Sequence, residues 1–240
     1  MPDSPILTGG GKKKFVRDMF DAIAPRYDLL NRLLSGGIDQ AWRRKAIGML
    51  ETDQPDNILD VATGTADLAI MATRLGPRRI VGVDIAEEML EIGRQKIGRS
   101  GLTELIELRF GDAENLPFPD NEFDAALVAF GVRNFENLSL GLSEIARVLK
   151  PGAQLVVLEF SRPKRFPIRQ IYTVYGQYIL PLIGKMVSGD DQAYTYLPES
   201  IQVFPDGEHF LDVLRSVGFN QLSVERLTYG IASIYTGRAT

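Results

Sequence analysis

The chain has 240 residues, 45% hydrophobic and 24% charged, with a formal net charge of −4, the balance of an ordinary soluble globular domain. It has no cysteine and one histidine, which excludes disulfide scaffolds, thiolate zinc and iron–sulfur sites, cysteine nucleophiles and metal sites built on two imidazoles. The acidic balance argues against broad nucleic-acid binding, and no apolar run reaches the ~18 residues of a membrane span.

Residues 1–14 read as a flexible tail, glycine-rich at 9–11 and self-repelling at Lys12, Lys13 and Lys14. A weak anchor to anionic headgroups is the alternative reading. The tail lacks the pattern of a secretory signal, so a cytoplasmic location is expected. Residues 15–50 read as helices. Phe15, Met19, Phe20 and Ile23 recur at helical spacing, Pro25 breaks the run, and Leu29, Leu30, Leu33 and Leu34 form a second stripe closed by Gly36 and Gly37. Asp39 is placed to cap a third helix carrying Trp42, Ala46 and Met49.

From residue 58 the pattern changes. Short apolar runs at 58–61, 80–83, 105–110, 125–130 and 155–158 alternate with helical stretches at 68–75, 89–97 and 138–149. A further helix over 210–214 precedes two last strands at 222–227 and 231–235. Alternation of this kind means βαβ units and a mainly parallel, doubly wound, Rossmann-like α/β sheet of seven strands. One helical insertion interrupts it, at about 163–200, with Tyr172, Tyr175, Tyr178, Ile179, Leu180, Leu182, Ile183 and Met186 broken by Pro181 and Gly184. Residues 15–240 thus form one domain with a helical lid over 15–50.

The most informative stretch is Asp60-Val61-Ala62-Thr63-Gly64-Thr65-Ala66-Asp67, between the first strand and its helix. Asp84 ends the second strand, twenty residues past Gly64. Ligands of such sheets bind beyond the carboxyl ends of the strands. An acid ending the second strand accepts hydrogen bonds from ribose hydroxyls, so an adenosine is expected. A dinucleotide wants G-x-G-x-x-G, whereas Gly64 begins Gly-Thr-Ala-Asp-Leu-Ala and Asp67 would repel a pyrophosphate. A cofactor without phosphate removes both difficulties, and S-adenosylmethionine is one. Asp60 and Asp67 would meet its ammonium or sulfonium, and Thr65 with backbone amides its carboxylate. Asp112 and Ala113, after the third strand, would take the adenine amino group and a ring nitrogen.

These motifs resemble the class I S-adenosylmethionine-dependent methyltransferases. RDMFDAIAPRYDLLNRLLSGGIDQAWRR (17–44), AFGVRNF (129–135), RVLKPGAQLVVLEFSRP (147–163) and PDGEHFLDVLRSVGF (205–219) resemble more specifically the menaquinone/ubiquinone biosynthesis C-methyltransferase family. The resemblance covers residues 15–238. It implies a last strand antiparallel to the rest, cofactor contacts at Thr65, Asp84, Asp112 and Ala113, and methylation of a ring carbon on a prenylated quinol. It leans to the naphthoquinol, hence demethylmenaquinol to menaquinol, with ubiquinone- or phylloquinone-pathway methylation as alternatives. Partners other than the quinol would be a transient membrane surface at the inner face and a second copy of the chain.

A ring carbon becomes nucleophilic when the neighbouring hydroxyl ionises, so the enzyme must align the ring and manage a proton. Arg133 and Asn134, past the fourth strand, are placed to stabilise a phenolate and orient the hydroxyl. Tyr27 and Asp39 in the lid are further candidates. His209, at a helix start away from the strand ends, reads as a solvated or capping residue. The rival readings are an NAD-dependent oxidoreductase, against which the missing glycines count, and a non-catalytic binder of an adenosine ligand.

Overall fold

The computed structural model describes residues 11–174 and 192–240. Seven strands form one sheet: β1 (Asn57–Val61), β2 (Arg79–Asp84), β3 (Ile106–Phe110), β4 (Phe123–Ala129), β5 (Leu149–Phe160), β6 (Phe219–Leu227) and β7 (Ala232–Ala239). Their order is β3-β2-β1-β4-β5-β7-β6. The first five run parallel, and β7 is antiparallel to both β5 and β6. The expected doubly wound sheet, with its reversed last strand, is therefore the observed one.

Residues alternate between two cores, one on each face. Leu59, Val61, Val81, Val83, Ala126 and Val128 pack under α6 (Leu138–Val148) and α9 (Glu208–Ser216). Ile58, Ile80, Ala125 and Leu127 face the other way, toward α3 (Ile38–Gly48), α4 (Asp67–Ala72) and α5 (Glu87–Arg99). Strands buried on both faces are what a parallel sheet requires. Two helices show their sequence logic plainly. In α5, Glu87 and Glu88 occupy the first turn and Lys96 and Arg99 the last, matching the helix dipole. Asn137 caps α6, accepting from the Leu140 amide at 3.0 Å.

The lid consists of α1 (Lys12–Ile23), a 3₁₀ turn at Ala24–Arg26, α2 (Tyr27–Ser35) and α3. Lys12, Lys13 and Lys14, expected in the flexible tail, belong instead to α1. Their mutual repulsion is offset by acids from elsewhere in the fold and by Asp18 one turn on. Asp39 does not cap α3. Left-handed Gly37 (φ 79°) holds that position, and Asp39 lies buried, accepting from Ser35 Oγ at 2.6 Å. Residues 149–152 open β5 rather than close α6, because β5 runs twelve residues to pair with both β4 and β7.

The insertion contributes α7 (Ile168–Val174) and α8 (Gln192–Val203). Its aromatic and apolar stretch from Tyr175 to Met186 lies outside the described residues, as do residues 1–10. Among the described residues, no helix is long and apolar enough to cross a membrane.

Candidate active site

The chain turns sharply after β1. Ala62 (φ 55°), Gly64 (φ 55°) and Ala66 (φ 63°) all adopt left-handed backbone, a conformation costly for the two alanines and stored where the fold meets its ligand. The turn aims the Gly64 amide at Asp84, whose Oδ2 accepts it at 2.8 Å, while Oδ1 accepts the Ala86 amide at 2.9 Å. Burial still holds the Asp84 carboxyl above its usual range. With its position fixed by two amides, the carboxylate keeps lone pairs for further donors.

Asp84 lies in a cleft beyond the strand ends. Tyr27, Gly64, Asp84, Asp112, Ala113 and Asn134, six of the residues expected from sequence, line it together. Val16 and Phe20 of α1, with Met89, Phe130 and Phe135, supply an apolar wall. Gly111 and Gly131 line the cleft where the packing leaves no room for a side chain: a Cβ at Gly111 would come within 2.8 Å of Val83 Cγ1, and one at Gly131 within 2.6 Å of the Ala62 Cβ. The lid is drawn onto this cleft by Lys13, whose Nζ donates to Asp112 Oδ2 at 2.6 Å and Glu114 Oε2 at 3.2 Å. Lys12 is buried beside it, donating to the Arg133 and Phe135 carbonyls at 2.9 and 2.7 Å.

A smaller recess adjoins, lined by Tyr27, Arg43, Asp60, Thr63, Gly64, Thr65 and Asp67. Asp60 is 1% exposed. Its Oδ2 accepts from Thr63 Oγ1 at 2.6 Å, while Oδ1 has no hydrogen-bond partner. Burial pushes its pKa up to about 7. Asp67 and Thr65 are engaged differently from the sequence expectation. Lys96 of α5 pairs with Asp67 and with Asp28 of α2, and the Thr65 hydroxyl donates to Asp28 at 2.7 Å. Their polar groups tie the lid to the turn, since a Lys ammonium among two carboxylates satisfies charge that a ligand cation would otherwise meet.

Arg133 and Asp39 line neither cavity. Arg133 Nη1 donates to Glu159 Oε1 at 2.7 Å and to the Phe130 carbonyl at 2.5 Å, with both side chains of the ion pair nearly inaccessible. Its guanidinium therefore holds Phe130, itself left-handed at φ 60°, rather than facing a substrate oxygen. Asn134 is the member of the pair that reaches the cleft. Its Nδ2 donates to the Phe130 carbonyl at 3.3 Å and its Oδ1 accepts from Tyr196 of α8 at 3.1 Å. One amide hydrogen remains for a ligand. Burial pushes the Tyr196 phenol up to about 12, so it stays a donor. Burial also raises Tyr27 above its ordinary value, which leaves that phenol protonated at neutral pH. His209 is exposed on α9, in line with a solvated role.

Lys13, Arg43, Glu159 and Tyr196 were missed by sequence reasoning. The acid closing the apolar run LVVLEF was the one available signal, and in the fold Glu159 is fully buried and paired with Arg133.

The unpartnered Asp60 oxygen and the amide-held Asp84 fit a cofactor that presents a cation and a ribose. No feature of the turn forms a glycine cradle for a pyrophosphate, so S-adenosylmethionine fits these residues where a dinucleotide does not.

The comparisons agree. The ubiE/COQ5 methyltransferase family matches residues 8–239. A demethylmenaquinone methyltransferase of Bacteroides fragilis is 50% identical over 233 residues, 97% of this chain and 95% of the relative. A ubiquinone/menaquinone biosynthesis C-methyltransferase UbiE of Geobacter sulfurreducens is 46% identical over 233 residues, 96% of this chain and 90% of the relative. Among solved structures, a SAM-dependent methyltransferase from Thermotoga maritima superposes with a TM-score of 0.66 at 20% identity, covering 93% of this chain and 99% of that one. The [4+2]-cyclase SpnF reaches 0.68 at 20% identity, covering 95% and 96%. Fold likeness to a cyclase shows the architecture alone. The family match spans the acid-lined cleft and the lid that covers it, and on that full-length agreement the chain belongs to the ubiE/COQ5 methyltransferase family of S-adenosylmethionine-dependent enzymes.

Proposed function

We propose that the protein transfers a methyl group from S-adenosylmethionine to a ring carbon of a prenylated naphthoquinol, converting demethylmenaquinol to menaquinol. The observation that carries this reading is the mixed lining of the cleft. Asp84 at the end of β2 and Asp112 past β3 line it, with Asp60 of β1 in the adjoining recess, and Val16, Phe20, Phe130 and Phe135 supply apolar lining. The acids suit a cationic nucleoside and the apolar lining a flat, uncharged ring with a hydrocarbon tail.

Bound cofactor supplies an electrophilic methyl group. The protein's own part is alignment and water exclusion, since a methyl transfer gains most from an in-line approach. Asn134 holds a quinol oxygen through its remaining amide hydrogen, and Tyr196 fixes the orientation of that amide. Phe130, its carbonyl held by Arg133, contributes to the apolar lining of the cleft. The lid closes this space from solvent through Lys12 and Lys13.

A substrate with a prenyl tail resides in lipid, so the reading includes transient contact with a membrane surface. Leu29 and Leu33 support it. They lie one turn apart on α2, 55% and 52% exposed, on a helix whose Leu30 is buried.

Incubation with methyl-labelled S-adenosylmethionine and reduced naphthoquinones and benzoquinones, with mass spectrometry of the products, tests the proposal. A methylated naphthoquinol is the expected product. Methylation of the benzoquinol at an equal rate would favour the dual activity that the Geobacter sulfurreducens relative's name prints, and no methylation of either would refute the reading.

A further inference from the structure

Two buried polar atoms in the small recess lack hydrogen-bond partners. Asp60 Oδ1 is one, and Arg43 Nε is the other; with Arg133 Nε they are the buried side-chain atoms left unsatisfied among the described residues. Arg43 comes from lid helix α3, is 6% exposed, and stands over the Phe130 ring at 5.3 Å. Its nearest acid, Asp39, is 3.6 Å from Nε, beyond a hydrogen bond, and is already engaged by Ser35. Arg43 and Asp60 attract each other electrostatically but form no contact, and both line the same cavity with Gly64 between the two clefts.

A buried polar atom without a hydrogen bond is costly, and a guanidinium and a carboxyl group facing one small space are complementary to a ligand that carries both signs on one carbon. A free α-amino acid end has that chemistry: a planar carboxylate for a guanidinium fork and an ammonium for a carboxylate. Thr65 does not compete for the carboxylate, because its hydroxyl is bonded to Asp28 and Lys96.

We propose that Arg43 binds the carboxylate of the cofactor's methionine moiety, opposite Asp60, which takes its ammonium. The lid thereby contributes a cofactor ligand as well as a cover. This rests on the S-adenosylmethionine reading and adds to it a residue from outside the sheet edge.

Calorimetry with three ligands on the intact protein tests it: S-adenosylhomocysteine, its decarboxylated analogue, and 5′-methylthioadenosine, which has neither amino-acid group. Losing a charge-assisted hydrogen-bonded pair reduces affinity by about 10- to 100-fold. The wild-type protein should bind S-adenosylhomocysteine tighter than the decarboxylated analogue by that factor. In Arg43→Gln the gap should close, while 5′-methylthioadenosine binds as before. Equal weakening of all three ligands, or a gap that survives the substitution, would overturn the proposal. If Arg43→Gln does not fold, the wild-type comparison decides alone, and equal affinity for the two homocysteine ligands would overturn it. Failure of every adenosine ligand to bind would instead remove the cofactor reading itself.

Discussion

Truncating Arg133 leaves the Glu159 carboxyl buried without its cation. Breaking such a pair costs about 3–5 kcal/mol. For a domain of this size that lowers the melting temperature by about 6–20 °C. Arg133→Ala should therefore lose stability and turnover together, because the guanidinium also holds the Phe130 carbonyl and so the backbone that carries Asn134. Replacing both partners with apolar residues (Arg133→Met with Glu159→Leu) should recover much of the melting temperature and little of the turnover. Thermal unfolding beside single-turnover rates checks this. A stable Arg133→Ala protein with normal cofactor affinity and no turnover would restore Arg133 to direct contact with substrate. Asp84 and Arg133 illustrate two kinds of legibility. Asp84 could be read from its position, since a strand-end acid twenty residues past a glycine turn has few other places to go. Arg133 lies four residues past the end of β4, and its partner comes from the adjacent strand 26 residues on, a pairing of which sequence spacing says nothing.

The lid helices carry the next level. α1 is pinned by Lys13 to acids 99 and 101 residues away, and α2 by Asp28 to Lys96 on α5. Their helical periodicity was plain in the sequence, and their docking was not, because an exposed lysine and a latch have the same local signature. The insertion splits likewise. Its helical character holds in α7 and α8, and the remainder lies outside the described residues. With α2 held from its inner side, its outer leucines face solvent. Leu29→Asp with Leu33→Asp should abolish co-flotation with anionic vesicles carrying quinol at low salt, and leave the melting temperature unchanged, since neither side chain is in the core. Flotation that persists in the double variant would place membrane contact elsewhere.

At the scale of the molecule, Asp60 ties stability to pH. Its pKa is raised from 3.8 to about 7 by burial, so the folded state binds a proton that the unfolded state has released. Stability from this group is full below pH 4 and is lost as pH rises toward 7. Asp84, raised by the same cause, acts in the same direction. A cation entering the recess favours the ionised carboxylate, so cofactor uptake should release a proton near pH 6 and tighten as pH rises. Calorimetry in two buffers of different ionisation enthalpy measures that proton, and Asp60→Asn should abolish it. No proton release in the wild-type protein would show that Asp60 is already ionised. The βαβ order was readable in full from the alternation of apolar runs. The twelve-residue length of β5 was not, because strand ends are set by which neighbours they pair with.

β7 is the last strand in chain order, yet its place between β5 and β6 makes it an interior piece of the sheet. While the nascent chain grows, five parallel strands can assemble with one side of β5 bare, an apolar edge open to pairing with a neighbouring chain. That edge is sealed only once β7 has been made, so a chain cut anywhere short of β7 yields an aggregation-prone product rather than a shortened enzyme.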